Sequence, residues 1–283
     1  MSSIWRPVRE RAPARSLMVV VAHPGDEAFG FGGAIATAAA TGAYVVVVCV
    51  TRGWFDARLT VASPLPGGKN RDVKTQAINW RNNDTVREDE LRRSVALLGV
   101  RVVRMLDYSE GDLDTVDFDQ LVGRIVEPIR MHRPEVILSF GPDGATGDVD
   151  HRVLSRAVSV AYAQAAEPLA YEDDLEEDQV AWRAAKLYHL VAPELNMPLA
   201  IGEPDEPSSA RSDATLAIDL GELAQLKLAA ISRHVSQTGS SGPFHDWGTD
   251  ARDRFLATEH YRLAVSALPP ATDGESSLFD GLI

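Results

Sequence analysis

Two short acid-and-histidine clusters each follow an apolar run. The first, His23-Pro24-Gly25-Asp26-Glu27, comes directly after LMVVVA (17–22). The second, Asp148, Asp150 and His151, closes the stretch GPDGATGDVDH that follows VILSF (136–140). Imidazole and carboxylate together suit zinc, and two histidines plus one carboxylate with a fourth position open is a catalytic arrangement. Each cluster alone also fits a plainer reading: acids at a helix start answer the helix dipole, and a histidine there is often satisfied locally. Both clusters stand at equivalent strand-to-helix turns, and open α/β sheets bind ligands outside the carboxyl ends of their strands. That coincidence favours one shared metal site.

The elements that must position these residues follow from hydrophobic periodicity. LMVVVA reads as a buried strand, the Ala-rich GFGGAIATAAATG (30–42) as a helix with Gly42 at its C-cap, and YVVVVCVT (44–51) as a second buried strand. This strand–turn–helix–strand unit predicts a parallel, Rossmann-type sheet. Residues 52–84 read as a long loop. A helix is expected over 85–99, with Thr85 and Glu88 as a capping box and Leu91, Val95 and Leu98 as its apolar stripe. Strands are expected at 100–106, 136–140 and 186–191, and helices at 117–132, 151–165 and 219–236; RFLATEHYRLAV (254–265) fits either state. Residues 171–179 form an acidic run and read as a solvated face. The resulting expectation is one α/β domain over 17–268 with a mostly parallel Rossmann-like sheet flanked by helices, an N-terminal extension at 1–16 and a C-terminal tail at 269–283.

Composition narrows the function. The chain has 283 residues, 45% hydrophobic and 24% charged, and a formal net charge of −13. A field of that sign repels phosphate backbones and anionic lipid, which excludes general nucleic-acid binding. Cys49 is the sole cysteine, so neither a disulfide framework nor a cysteine-based zinc site can form within the chain. The longest apolar runs are about eight residues, far short of the ~20 that span a bilayer. No signal peptide is read, and a cytoplasmic location is expected. Gly30-Phe31-Gly32-Gly33 invites a dinucleotide reading, but it does not match G-x-G-x-x-G and no acid ends the second strand. Small residues for close helix–sheet packing explain it better.

Six ordered blocks carry a resemblance to a known family. VVVAHPGDEAFGFGGAIA resembles the opening AHPDDE motif of the LmbE-like, or PIG-L, N-acetylglucosamine deacetylase superfamily. Thr51-Arg52-Gly53 is similar to its T-x-G strand end, and Arg87, Glu90, Leu91 and Leu98-Gly99-Val100 to its R-x-x-E-L … L-G-V helix. Arg133-Pro134-Glu135-Val136 resembles R-P-D-V, GPDGATGDVDH resembles G-P-D-G-x-x-G-H-P-D-H, and Lys227 through His234, Ser236 and Gln237 resemble K-x-x-A … H-x-S-Q. The resemblance implies a Rossmann-like sheet, one divalent metal (usually zinc) and hydrolysis of N-acetyl groups from amino sugars. It implies His23, Asp26 and His151 as metal ligands, and a small N-acetylated amino sugar as substrate.

Two departures bear on chemistry. The family's general-base position is Gly25 here, and the histidine that stabilises its tetrahedral intermediate is Asp148. A general base typically contributes 10²–10⁴-fold, and glycine cannot act as one. Asp148 or Asp150 taking over the proton chemistry, an unusual substrate, and a metal- or sugar-binding homologue with little hydrolysis all stay open. Arg87, Glu110 and His234 are the candidate substrate contacts, with Asp112 and the aromatic pair Trp54 and Phe55 behind them. A homo-oligomer is compatible with all of this.

Overall fold

The computed structural model describes residues 15–53, 80–145, 147–171, 179–191, 214–238, 248–269 and 274–282. The strands are β1 (Ser16–Val21), β2 (Tyr44–Thr51), β3 (Val102–Tyr108), β4 (Val136–Phe140), β5 (Lys186–Val191), β6 (Leu216–Asp219) and β7 (Thr258–Ser266). The helices are α1 (Asp26–Phe29), α2 (Gly32–Ala40), α3 (Trp80–Leu97), α4 (Phe118–His132), α5 (Val149–Gln164), α6 (Leu223–Ile231), α7 (Val235–Thr238) and α8 (Thr249–Ala257). The strands make one sheet in the order β3-β2-β1-β4-β5-β7-β6. β1 to β5 are parallel, and β7 runs antiparallel to both β5 and β6.

The central strands are Val-rich and buried at every position but Tyr44, as suits strands covered on both faces. From β1 the chain steps outward to β2 and β3, then crosses back to place β4 on the other side of β1. Leu17, Met18 and Val19 lie beside Val136, Ile137 and Leu138. The order therefore reverses between β1 and β4, and the crevice above that point is where an α/β sheet receives its ligand. Both acid-and-histidine clusters follow these two strands.

The glycines of GFGG serve packing. A Cβ at Gly33 would stand 2.7 Å from Leu220, so α2 lies closer to its neighbour than any side chain would permit. The N-terminus of α2 receives an internal anion: the Glu259 carboxylate, from β7, accepts from Gly33 N (2.7 Å), Ala34 N (2.8 Å), Lys227 Nζ (2.7 Å) and Tyr261 OH (2.7 Å). This fills the place a phosphate would take in a nucleotide site.

Four elements differ from their sequence reading. α3 already begins by Trp80, so Thr85 lies inside the helix and its pairing with Glu88 is no cap. The expected helix over 219–236 is two pieces, α6 and α7, with His234 turned inward between them, and its first residue, Asp219, ends β6, a four-residue strand of alternating burial that the sequence reading does not include. The ambiguous stretch 254–265 is both states in series, ending α8 and forming β7. β3 runs 102–108, two residues further than expected at its end, past a register shift against β2. The acidic run, except Tyr171 and Gln179, and Trp54 and Phe55 lie outside the described residues. Near the C-terminus, Leu278 is buried and Glu275 binds Lys186 and Tyr188 on β5. No helix among the described residues is long and apolar enough to cross a membrane.

Candidate metal centre

His23 leaves the end of β1, Asp26 opens α1, and His151 sits in the first turn of α5. Three of their atoms form a near-equilateral triangle. His151 Nε2 is 3.3 Å from His23 Nδ1 and 3.2 Å from Asp26 Oδ2, and His23 Nδ1 is 3.5 Å from the same oxygen. A tetrahedral ion with bonds of ~2.0–2.1 Å holds its ligands about 3.3–3.4 Å apart. The triangle therefore matches three corners of such a site, with the fourth left open.

The far sides of both rings fix which nitrogen faces the triangle. His151 Nδ1 is 3.1 Å from the Gly144 carbonyl, which can only accept, so Nδ1 carries the hydrogen and Nε2 points inward. The His151 ring stacks on Phe140 at 3.8 Å between centroids. Gly144 has φ +71, and a Cβ there would meet the Asp148 carbonyl at 3.0 Å, so this turn requires glycine. His23 Nε2 is 3.0 Å from Asp150 Oδ2. Asp150 is 1% exposed, and its oxygens also accept from Gly111 N (2.6 Å) and Leu113 N (3.1 Å). A carboxylate behind a ligating histidine orients the ring and raises its basicity. Both oxygens of Asp150 are thus engaged, in bonds to His23, Gly111 and Leu113, and the carboxylate stands behind the His23 ring.

Asp148 is different. One oxygen accepts from His151 N at 3.2 Å and caps α5; the other has no hydrogen bond among the described residues. Its carboxylate and the two histidines each offer an atom within 4.8 Å of one another. Burial opposes charge on His23, but the Asp150 hydrogen bond and the acids Asp26, Glu110 and Asp148 outweigh it and carry its pKa up to about 9. Burial likewise pushes Asp26 up, yet His151 and His23 hold it down at about 2. Three carboxylates around two imidazoles make a site that attracts a cation, and two inward nitrogens with one carboxylate oxygen suit a small divalent ion.

The other candidates take supporting positions. Arg87 is 4% exposed, donates to the Pro24 carbonyl (3.0 Å) and pairs with Glu110, so the two brace the first turn. His234, read from the sequence as a candidate substrate contact, is fully buried, with Nε2 2.7 Å from Glu27 Oε1. Glu27, also fully buried, accepts from Ser94 Oγ (2.7 Å) and Gly25 N (2.8 Å) as well. The sequence pattern does not join Glu27, Ser94 and His234, which the fold brings into one network. An uncharged-looking spacing gives no sign of which distant partner a buried acid will meet.

The PIG-L family profile, described as GlcNAc-PI de-N-acetylase, matches residues 18–162. The chain belongs to the PIG-L family. Within it, a 1D-myo-inositol 2-acetamido-2-deoxy-alpha-D-glucopyranoside deacetylase from Streptomyces griseus is 31% identical, covering 95% of this chain and 90% of the relative. The deacetylase of the same description from Geodermatophilus obscurus is 29% identical, over 95% of this chain and 99% of the relative. Among solved structures, the N,N'-diacetylchitobiose deacetylase of Pyrococcus horikoshii superposes with a TM-score of 0.66 at 18% identity, covering 92% of this chain and 88% of that one. His23, Asp26 and His151, which form the triangle, lie in two of the motifs whose resemblance to the family is read from the sequence.

Proposed function

We propose that the protein is a zinc-dependent deacetylase of an N-acetylglucosamine-type sugar or glycoconjugate. The observation that carries this is the triangle of His23 Nδ1, Asp26 Oδ2 and His151 Nε2, with both outer ring nitrogens already committed. These three residues would hold the ion. A divalent ion there supplies a Lewis acid for the acetamide carbonyl. Asp148 then has the proton work. Its free oxygen takes a proton from the attacking water and returns one to the leaving amine, so that water and the amide become acetate and the free amino sugar. Asp150 and Gly144 keep the two rings aimed, and the Arg87–Glu110 pair holds the Pro24 carbonyl and with it the turn that presents His23.

Gly25 favours a second reading, a binding protein that holds metal and sugar with little turnover. Metal analysis coupled to acetate release across a panel of N-acetylated sugars separates the two. Release that disappears with chelator and returns with zinc supports the enzyme. Metal-loaded protein that binds these sugars and releases no acetate supports the binding protein.

A further inference from the structure

Gly25 is the N-cap of α1, with φ +114 and ψ −39. A Cβ built there would lie 2.5 Å from Gln237 Oε1 and 3.1 Å from both Cδ and Nε2. The Gln237 carboxamide thus lies against the glycine Cα and fills the room that a side chain at position 25 would occupy. Position 25 falls between His23 and Asp26, two corners of the triangle.

The placement is held from several directions. Glu27 binds both partners' surroundings: Oε2 accepts from Gly25 N (2.8 Å) and Oε1 from His234 Nε2 (2.7 Å). Gln237 N donates to the His234 carbonyl at 3.1 Å. The neighbouring Ser236 is fixed to Glu90 on α3, through N at 2.8 Å and Oγ at 2.5 Å. Yet Gln237 Oε1 is itself buried and has no hydrogen-bond partner among the described residues. A buried acceptor left unmade costs about 1–3 kcal/mol, so a donor belongs beside it.

We propose that Gln237 is a substrate-recognition residue whose amide oxygen, lying where a side chain at position 25 would stand, accepts the N–H of the acetamido group. This rests on the deacetylase reading. An acetamide offers one donor, its N–H, and one acceptor, its carbonyl oxygen. The carboxylates of Asp26 and Asp150 are already engaged with the histidines, and Asp148 is assigned to proton transfer. Among the described residues, Gln237 Oε1 is a buried acceptor beside this turn that has no partner. It cannot take up a proton at neutral pH, so it recognises the amide without competing for the chemistry.

The test compares two ligands on chelator-treated protein, which does not turn over. One is methyl N-acetylglucosaminide; the other is its acetonyl analogue, in which CH2 replaces N–H. Dissociation constants are read by ligand-observed NMR. Wild-type protein is expected to prefer the amide by about five- to tenfold, the worth of one buried hydrogen bond. Gln237→Ala should abolish the preference while leaving the analogue's affinity within about twofold, and Gln237→Glu, which keeps an acceptor oxygen, should retain it. A preference that survives in Gln237→Ala overturns the proposal, as does an equal loss for both ligands, which would mean packing or a water-filled acceptor. Wild-type protein that releases acetate on zinc loading but shows no amide preference overturns it while the deacetylase reading stands. If no N-acetyl sugar binds and none is hydrolysed, both fall together.

Discussion

Replacing Asp150 with asparagine tests the support beneath His23. Three donors, from His23 Nε2, Gly111 N and Leu113 N, converge on two carboxylate oxygens at a position 1% exposed. Asparagine brings one oxygen and one NH2. With its oxygen toward His23 and Gly111, the NH2 faces the Leu113 N–H; turned over, it satisfies Leu113 alone. At least one buried donor therefore meets another donor, at about 1–3 kcal/mol. The surviving bonds also lose their charge assistance, which makes them roughly half as strong. A total near 3 kcal/mol corresponds to a fall in Tm of about 6–10 °C for a domain of this size. Thermal melting of chelator-treated protein measures it. Asp148→Asn is the comparator: asparagine caps a helix as well as aspartate, so its Tm should move by less than about 2 °C. Losing the carboxylate behind a ligating histidine should also weaken zinc binding about 10–100-fold in chelator competition. An Asp150→Asn protein that melts with the wild type and binds zinc equally would refute the positioning role.

Asp148→Asn should keep its metal content and lower kcat about 10²–10⁴-fold, read as acetate release from a zinc-loaded enzyme. Gly25→Asp should not restore a base: with φ +114 and a Cβ 2.5 Å from Gln237 Oε1, it should cost about 1–3 kcal/mol, and Gln237→Ala in the same chain should recover part of that in a double-mutant melt. Glu259→Gln strands the Lys227 ammonium, 1% exposed, without its counter-charge, and should destabilise by about 3–5 kcal/mol in denaturant unfolding. His189, buried and beside Arg262, has its pKa lowered to about 4. The unfolded chain takes a proton near pH 6.5 that the native state refuses, so stability should fall as pH drops from about 6.5 to 4 and level off below; His189→Gln should flatten that limb of the denaturant midpoint against pH.

What was legible in the sequence follows from what patterns encode. The limits of β2 and β4 coincide with their runs of valine, isoleucine and leucine, because a strand buried on both faces is apolar at most positions. The triangle of His23, Asp26 and His151 was legible as three residues at two strand ends. The supports were not. Asp148 and Asp150 are one residue type two positions apart, yet one caps a helix with an oxygen to spare while the other vanishes under three donors; only the fold decides which. His234 shares its motif with Ser236 and Gln237, and its burial depends on Glu27, 207 residues away. β6 was invisible because four residues of alternation do not outweigh the apolar helix that follows them.

The Glu259 carboxylate ties the last strand to the first long helix across 226 residues of sequence. In a growing chain, α2 is made early and its leading amides wait for their acceptor until β7 has left the ribosome. Lys227 waits for the same group. Every residue of the metal triangle is synthesised by position 151, so the ligands exist long before the sheet that seats them is closed. Docking β7 satisfies two amides and a lysine at once, and a chain ending before Thr258 carries all three triangle residues yet leaves the leading amides of α2 and the Lys227 ammonium without their acceptor.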